Sequence, residues 1–392
     1  MSSCPTFDGF LSQKPLFYKE IDHKRVHNAY AILKPHIQHP RVIHLVGTNG
    51  KGSTGRIMAT LLHHAGVKVG HFSSPHILKF NERIWISGKE SSDALLEQAH
   101  QRLYGILGQR MSEALSYFEY TTLLALVAME KLEVIVLEAG LGGEYDATNV
   151  VSKALSVITP IGLDHQDFLG ESIKEIALTK LNSIEQWALL ALQPYPEVYE
   201  VAKDIASKRK SNHLYFMDNK QNTAIVELAT KAGWAGYLIE NAHLAIRALE
   251  LLSLPYCLED LAKVELFGRF YPLEENVTID VGHNLLAAEA IIKALPQRYG
   301  ENPSLVLVYN SLKDKAYDKI LTRFKPYIKR VEIIPLESER TVDEALLIER
   351  LESLEIPYSM FHNIEKYDNY LVFGSFYVVE AFLKKQNYFK NQ

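Results

Sequence analysis

The chain has 392 residues, enough for two domains each with its own core, and its 47% hydrophobic and 23% charged content is that of an ordinary globular protein. A net charge of −5 with dispersed basic residues argues against a surface built for nucleic acid or for a membrane; the run Lys208, Arg209, Lys210 reads as a solvated helix end. Two cysteines, Cys4 and Cys257, exclude a disulfide framework and fit a reducing compartment.

The opening MSSCPTFD lacks the basic and apolar regions of a signal peptide, and no apolar span reaches about 18 residues, so a cytoplasmic location is expected. In chain order, strands are predicted over 41–47, 68–72, 133–137, 154–159 and 187–192. Helices are predicted over 54–65, 93–108, 119–131, 172–183, 197–209 and 238–252. Strands alternating with helices predict a mostly parallel, doubly wound sheet. The polar stretch 211–236 carries no clear periodicity. A second series follows, with strands over 277–281, 304–309 and 331–334 and helices over 286–295, 317–327 and 342–354. That is a smaller α/β domain. Gly268 and Pro272 break the helical periodicity between the two series, so domains are expected over 1–268 and 269–392.

HLVGTNGKGSTGRIM, residues 44–58, places a glycine-rich turn between a β-branched apolar strand and a helix that Ser53 or Thr54 would cap. Such a turn points backbone N–H groups into one cavity, and the helix N-terminus adds partial positive charge, which suits phosphate oxygens. Lys51 would reach the outer phosphates and the Ser53 hydroxyl a magnesium ion. The strict phosphate-loop pattern has Ser or Thr directly after the lysine; here Gly52 intervenes. The alternative is a tight turn with a solvated lysine.

Two further apolar strands end in polar loops. In VIVLEAGLGGEYDATN (134–149), Glu138 stands at a strand's carboxyl end, where ligands of α/β sheets sit, and could hold Mg²⁺ or simply cap the loop. Asp146 to Asn149 could be an Asx-type turn. In VITPIGLDHQDFLG (157–170), the loop carries Asp164, His165 and Asp167; magnesium prefers oxygen, so His165 is not an obvious ligand on physical grounds. FSSPHILKFNERI (72–84) could turn Ser73, Ser74 and His76 toward the phosphate loop. TIDVGHNLLAA (278–288) puts Asp280 and His283 at the end of the second domain's first strand. No Cys/His group has zinc spacing, and no Gly-x-Ser-x-Gly elbow occurs.

Eight segments in order resemble the folylpolyglutamate synthase and dihydrofolate synthase family of the Mur-ligase superfamily. They are GTNGKGST (47–54), SSPHILKFNERI (73–84), FEYTTLLAL (118–126), LEAGLGGEYDATN (137–149), GLDHQDFLG (162–170), ENAHLAIRALELL (240–252), FGRF (267–270) and DVGHN (280–284). The resemblance implies a P-loop ATPase domain, a smaller Rossmann-like domain and an active site in the cleft between them. It implies that ATP activates a folate or pteroate carboxylate as an acyl phosphate, which the amino group of L-glutamate then attacks.

The same resemblance places Asn49, Gly50, Lys51, Gly52 and Ser53 on the ATP phosphates, with Asn241, Arg269 and Asp280 as further nucleotide contacts. It gives magnesium, implied as two ions, to Ser74, Glu138, His165 and a carbamylated Lys180. Lys51, His165, Lys180 and His283 are the implied catalytic groups. Phe118, Glu119, Tyr120, Tyr145, Asp146 and Ala147 are the implied substrate contacts, for dihydropteroate or a reduced folate. Around Lys180 the chain reads IALTKLNSI where the family reads close to IAxEKAGI, and DVGHNLL lacks the proline that usually follows HN. The segment 21–33, IDHKRVHNAYAIL, loosely resembles the pterin-binding start of bifunctional members. A bifunctional monomer is therefore expected. A monofunctional folylpolyglutamate synthase, a P-loop phosphotransferase without amide product and a binding-only protein are the alternatives.

Overall fold

A computed structural model describes residues 4–15, 22, 24–209 and 213–388, with side chains except that of Arg209. Ile21 and His23 of the loosely matching segment 21–33, Lys210 of the basic run and the first three residues lie outside the described residues. The chain forms two compact units. The larger comprises Met1–Ile161, Leu169–Ile225 and Asn241–Val264; the smaller comprises Gly162–Phe168, Val226–Glu240 and Glu265–Gln392. The boundary expected at 268/269 lies just inside the last of these stretches.

The large unit is built on eight strands: β1 (Arg41–Val46), β2 (Val69–Phe72), β3 (Ile84–Ile86), β4 (Lys89–Glu90), β5 (Val134–Glu138), β6 (Leu155–Ile158), β7 (Trp187–Leu190) and β8 (His213–Phe216). Their order is β4-β3-β2-β5-β1-β6-β7-β8. The strands β2, β5, β1, β6, β7 and β8 run parallel, and the β3–β4 hairpin adds antiparallel to β2. The central strands are near-continuous apolar runs because helices cover both faces; every residue of β5 is buried. The helices Asp93–Ala114 and Tyr117–Met129 supply a cluster on Leu103, Leu123 and Tyr120, and the helices Ile173–Leu181 and Pro196–Arg209 a second on Ile176, Leu181 and Val198. The chain runs from β1 to β2 and β5 on one side and then to β6 on the other. Loops leaving β1, β5 and β6 therefore meet where the strand order reverses, the place at which open α/β sheets bind ligands.

The small unit carries β9 (Tyr271–Glu274), β10 (Val277–Asp280), β11 (Leu305–Tyr309), β12 (Ile328–Ile333), β13 (Tyr358–Met360) and β14 (Tyr370–Phe373), ordered β13-β12-β11-β14-β10-β9. All pair in parallel except β9, which is antiparallel to β10. Both sheets are thus the mostly parallel, doubly wound kind that the alternation predicts.

Several details differ from expectation. The phosphate-loop helix begins at Lys51, not at residue 54, and its N-cap is Gly50 at φ 87°, so Ser53 and Thr54 lie inside the first turn. The helix predicted over 93–108 continues to Ala114 through a break at Gly108 (φ 72°, ψ 164°). The unassigned stretch holds β8 and the helix Thr223–Lys231; β8 is an edge strand exposed at both ends, so its composition is polar. Four residues is too short for β14 to show a period, yet it pairs with both β10 and β11.

One buried cation ends the helix Asp93–Ala114. Lys14 Nζ donates to Ser112 O and Leu115 O, each at 2.7 Å, and lies 4.6 Å from the centre of the Phe10 ring. Burial, then the charge of Arg25, pushes the Lys14 amine down to about 8, against a smaller upward pull from Glu119 and Glu113. A folded-state pKa below the unfolded one means that the unfolded chain binds the extra proton between pH ~8 and ~10.4. Stability therefore rises with pH across that window and loses this contribution below it. In Lys14→Met that rise should vanish, read as the difference between the two proteins' urea midpoints at pH 8 and pH 10.

Candidate active site

The loop after β1 is held from beneath. Thr48 and Asn49 N–H groups donate to Pro160 O at 2.9 and 3.2 Å. A Cβ on Gly47 would stand 2.0 Å from Thr159 Oγ1 and 2.8 Å from Thr159 O, so only glycine fits. Thr159 and Pro160, which follow β6, are functional in this sense and were missed; in sequence they look like any strand end. No side-chain hydrogen bond caps the helix that starts at Lys51, and an uncapped helix N-terminus suits an anion.

Two amines converge on this loop. Lys51 Nζ donates to Gly47 O at 3.1 Å and Thr48 O at 3.2 Å, and Lys180 Nζ, 5% exposed, donates to Gly47 O at 2.9 Å. Glu138 Oε1 lies 4.0 Å from Lys51 Nζ, and Glu138 Oε2 accepts from Ser74 N–H at 3.3 Å. Ser53 Oγ donates to Gly50 O at 3.2 Å and accepts from Asn241 Nδ2 at 2.8 Å. The structure thus brings together Asn49, Gly50, Lys51, Gly52, Ser53, Ser74, Glu138, Lys180 and Asn241 in the large unit. Among the described residues no three His, Cys, Asp or Glu side chains group to hold a metal. The oxygen donors here are one carboxylate and two serine hydroxyls, which fits a hard cation that keeps waters and shares phosphate oxygens.

The helix carrying Lys51 is also fixed from its other side. A Cβ on Gly55 would come 2.4 Å from Nε2 of the buried His71 in β2. His76 does not turn to the phosphate loop. Its Nδ1 accepts from Arg83 Nε at 2.8 Å, and burial followed by the Arg83 charge holds it down to about 4, so it is neutral.

The residues expected to contact substrate divide. Phe118 is half-buried, stacked on Phe72 at 5.9 Å, and its ring fills the place where Gly140 would carry a side chain, 2.6 Å from the built Cβ. Tyr145 is 54% exposed. The other four are buried. Glu119 closes a capping box with Ser116 and pairs with Arg25 at 2.7 Å. Tyr120 hydrogen-bonds His100 Nδ1 at 2.7 Å, and burial raises its phenol far above the usual range. Asp146 accepts from Leu141 N–H and Thr148 N–H, at 2.8 and 2.9 Å, and Ala147 is buried.

In the small unit, Asp164 gathers the chemistry. Lys315 Nζ lies 2.6 Å from Oδ1; Asn284 Nδ2 and His283 Nε2 lie 3.1 and 3.5 Å from Oδ2. Burial alone would raise the Asp164 carboxyl, but the His283 hydrogen bond and the charges of His283, His165 and Lys315 hold it well below the carboxylate range. His165 has φ 52°, and its Nε2 is 4.0 Å from Asp164 Oδ2. Lys315, in SLKDKAYDK, carried no signal in a single sequence. Asp280 accepts from Phe270 N–H, Tyr237 OH and Gly282 N–H at 2.7, 2.9 and 2.7 Å; burial pushes its carboxyl up despite the Arg269 charge. The Arg269 guanidinium sits 5.3 Å from the Phe376 ring centre.

No family model matches the chain. It is 34% identical over 342 residues to the dihydrofolate synthase/folylpolyglutamate synthase of Escherichia coli (strain K12), covering 82% of this chain and 78% of the relative. The crystal structure of Helicobacter pylori folylpolyglutamate synthetase superposes with a TM-score of 0.79 at 37% identity, covering 97% of this chain and 98% of that one. The bifunctional folylpolyglutamate synthase/dihydrofolate synthase of Yersinia pestis, complexed with AMPPNP and Mn ion, superposes with a TM-score of 0.82 at 28% identity over 98% of each chain. Fold and phosphate loop are those of an ATP-dependent carbon–nitrogen ligase. Within that class the chain belongs to the dihydrofolate synthase/folylpolyglutamate synthase family. Among the described residues no helix is long and apolar enough to cross a membrane.

Gly47→Ala should displace the loop through its clash with the Thr159 backbone. A loss of about 2 kcal/mol in stability or more is expected from forced overpacking, together with a larger fall in nucleotide affinity than Gly66→Ala causes. Gly66 also has positive φ, but no atom lies within 4 Å of its built Cβ, so it controls for backbone strain. Thermal denaturation with and without an ATP analogue reads both effects.

Proposed function

We propose that this chain joins L-glutamate to dihydropteroate and adds further glutamates to reduced folates at the same site, acting in the cytoplasm as a monomer. The observation that carries the reading is the pair of amines, Lys51 and Lys180, meeting at the Gly47 carbonyl beside Glu138. A carboxylate and a triphosphate repel, and the Lys51 ammonium, with a bound metal ion, would offset that repulsion where charge develops. A pterin-acid carboxylate oxygen attacks the γ-phosphorus, and the bond to ADP breaks. The glutamate nitrogen then attacks the acyl carbon, inorganic phosphate leaves and the amine loses its proton. Holding the reactants in line supplies much of the rest of the barrier reduction.

Asn49, Gly50, Lys51, Gly52 and Ser53 take the phosphates, and Asn241 positions Ser53. Ser53, Ser74 and Glu138 would hold Mg²⁺, which when bound supplies positive charge against the transferring phosphoryl group. Phe118 offers its ring to the pterin and Tyr145 an exposed partner; Glu119, Tyr120, Asp146 and Ala147 shape the floor beneath. In the small unit, His165 is assigned to metal, Arg269 and Asp280 to nucleotide, and His283 to catalysis.

A monofunctional folylpolyglutamate synthase is the second reading, favoured by the name of the Helicobacter pylori relative at 37% identity. Turnover decides. Phosphate release from ATP should require both glutamate and an acceptor, and dihydropteroate should serve as acceptor as well as tetrahydrofolate. Activity with tetrahydrofolate alone would establish the monofunctional reading, and phosphate release without glutamate would remove the ligase.

Lys180 is proposed to be carbamylated: the neutral amine attacks carbon dioxide, loses a proton and becomes an anionic oxygen donor for a second magnesium. Its buried place on the phosphate loop, with Nζ 2.9 Å from the Gly47 carbonyl oxygen, supports this. Lys180→Ala should lose at least about 10²-fold in kcat, as removal of a charge-stabilising group does. A short-chain carboxylic acid should restore part of it. A fully active Lys180→Ala protein would leave one metal ion with Glu138 as its carboxylate.

A further inference from the structure

Beneath the loop that follows β5 runs a chain of buried side chains that the ligase chemistry does not use directly. It starts at His44 in β1, whose Nε2 lies 2.7 Å from Thr148 Oγ1; both residues are 0% exposed. The Thr148 hydroxyl donates to Asp146 Oδ1. That carboxylate also accepts from the N–H groups of Thr148 and Leu141.

The direction of the protons follows from the donor count. A hydroxyl has one proton, and Thr148 gives it to Asp146, so Thr148 must accept from His44. His44 is then the Nε2–H tautomer. Its Nδ1 is buried with no hydrogen-bond partner among the described residues. Burial, then the Lys153 charge, holds the imidazole well below its ordinary value, so it stays neutral. An unpaired buried nitrogen costs free energy that a leucine of similar size would not incur. Packing alone therefore does not account for an imidazole here; what it supplies is the Nε2–H.

The far end of the chain holds the Gly140–Leu141 peptide. Gly140 is the residue against which the Phe118 ring lies, and it follows Glu138 by two residues. We infer that His44 is a positioning residue for the ligase reaction: through Thr148 and Asp146 it fixes the Gly140–Leu141 peptide, and with it the Phe118 ring on which the pterin acid rests. This depends on the reading of Phe118 given above. Asp146 accordingly acts from below the site through the backbone.

Four variants separate this role from general stability. H44L fills the space without a donor, whereas the amide of H44Q can donate to Thr148. T148V keeps the shape without the hydroxyl, and T148S keeps the hydroxyl. Two readouts apply to each: amide hydrogen exchange of the segment 139–146, and KM for dihydropteroate and for ATP, each varied with the other saturating.

In H44L and T148V the segment should exchange faster, and KM for dihydropteroate should rise about tenfold, the scale of one buried hydrogen bond lost. KM for ATP should stay within about twofold in those variants, while H44Q and T148S stay within about threefold of the parent on every measure. Equal damage in H44Q and H44L, unchanged exchange in T148V, or an equal rise in both KM values would overturn the proposal. Should H44L fail to fold, the isosteric T148V decides. A parent enzyme that turns over tetrahydrofolate but not dihydropteroate removes the bifunctional reading; tetrahydrofolate then replaces dihydropteroate in the KM comparison, and the same outcomes decide the relay.

Discussion

The Gly47 carbonyl is the point on which the large unit's chemistry converges. Two lysines from distant parts of the chain donate to it, one at 3.1 and one at 2.9 Å. The residue that carries it has no room for a side chain against Thr159. The Glu138 carboxylate, 4.0 Å from Lys51 Nζ, balances the charge of that amine. Both side chains are thus ordered by hydrogen bonds within the protein itself. Preorganisation of this kind lowers the entropic cost of binding.

Everything else in the large unit keeps that point in register. β1 lies between β5 and β6, so the loops that carry Lys51, Glu138 and Thr159 leave adjacent strands at the same end. Asn241 reaches Ser53 from the helix Gly236–Leu251. Lys180 comes from a helix whose own capping box, Ser172 with Glu175, sets its start. The small unit repeats the principle with the opposite sign. There a carboxylate, Asp164, is the centre, and Lys315, His283 and Asn284 are its donors.

How much of this could be read from the residues follows from range. The doubly wound sheet was legible because buried parallel strands are continuous apolar runs and the helices between them are long enough to show a period. The phosphate loop was legible because glycine, lysine and hydroxyl positions are all local. β14 was not, since four residues between turns carry no period. β8 was not, since an edge strand need not be apolar. Lys315 was invisible because its partner, Asp164, is 151 positions away. Glu119, Tyr120 and Asp146 were legible as motif positions, but a motif does not say which way a side chain points. All three turn inward, to Arg25, His100 and Thr148.

The contact between Gly55 and His71 bears on how such an enzyme can move. The helix that begins at Lys51 and the strand that leads to Ser74 meet there with no spare volume. Sliding or rolling that helix would drive its backbone into a buried ring that has no free space around it. Helix and strand therefore travel as one rigid block through the catalytic cycle. Whatever adjustment admits nucleotide and releases ADP therefore has to take place outside this block.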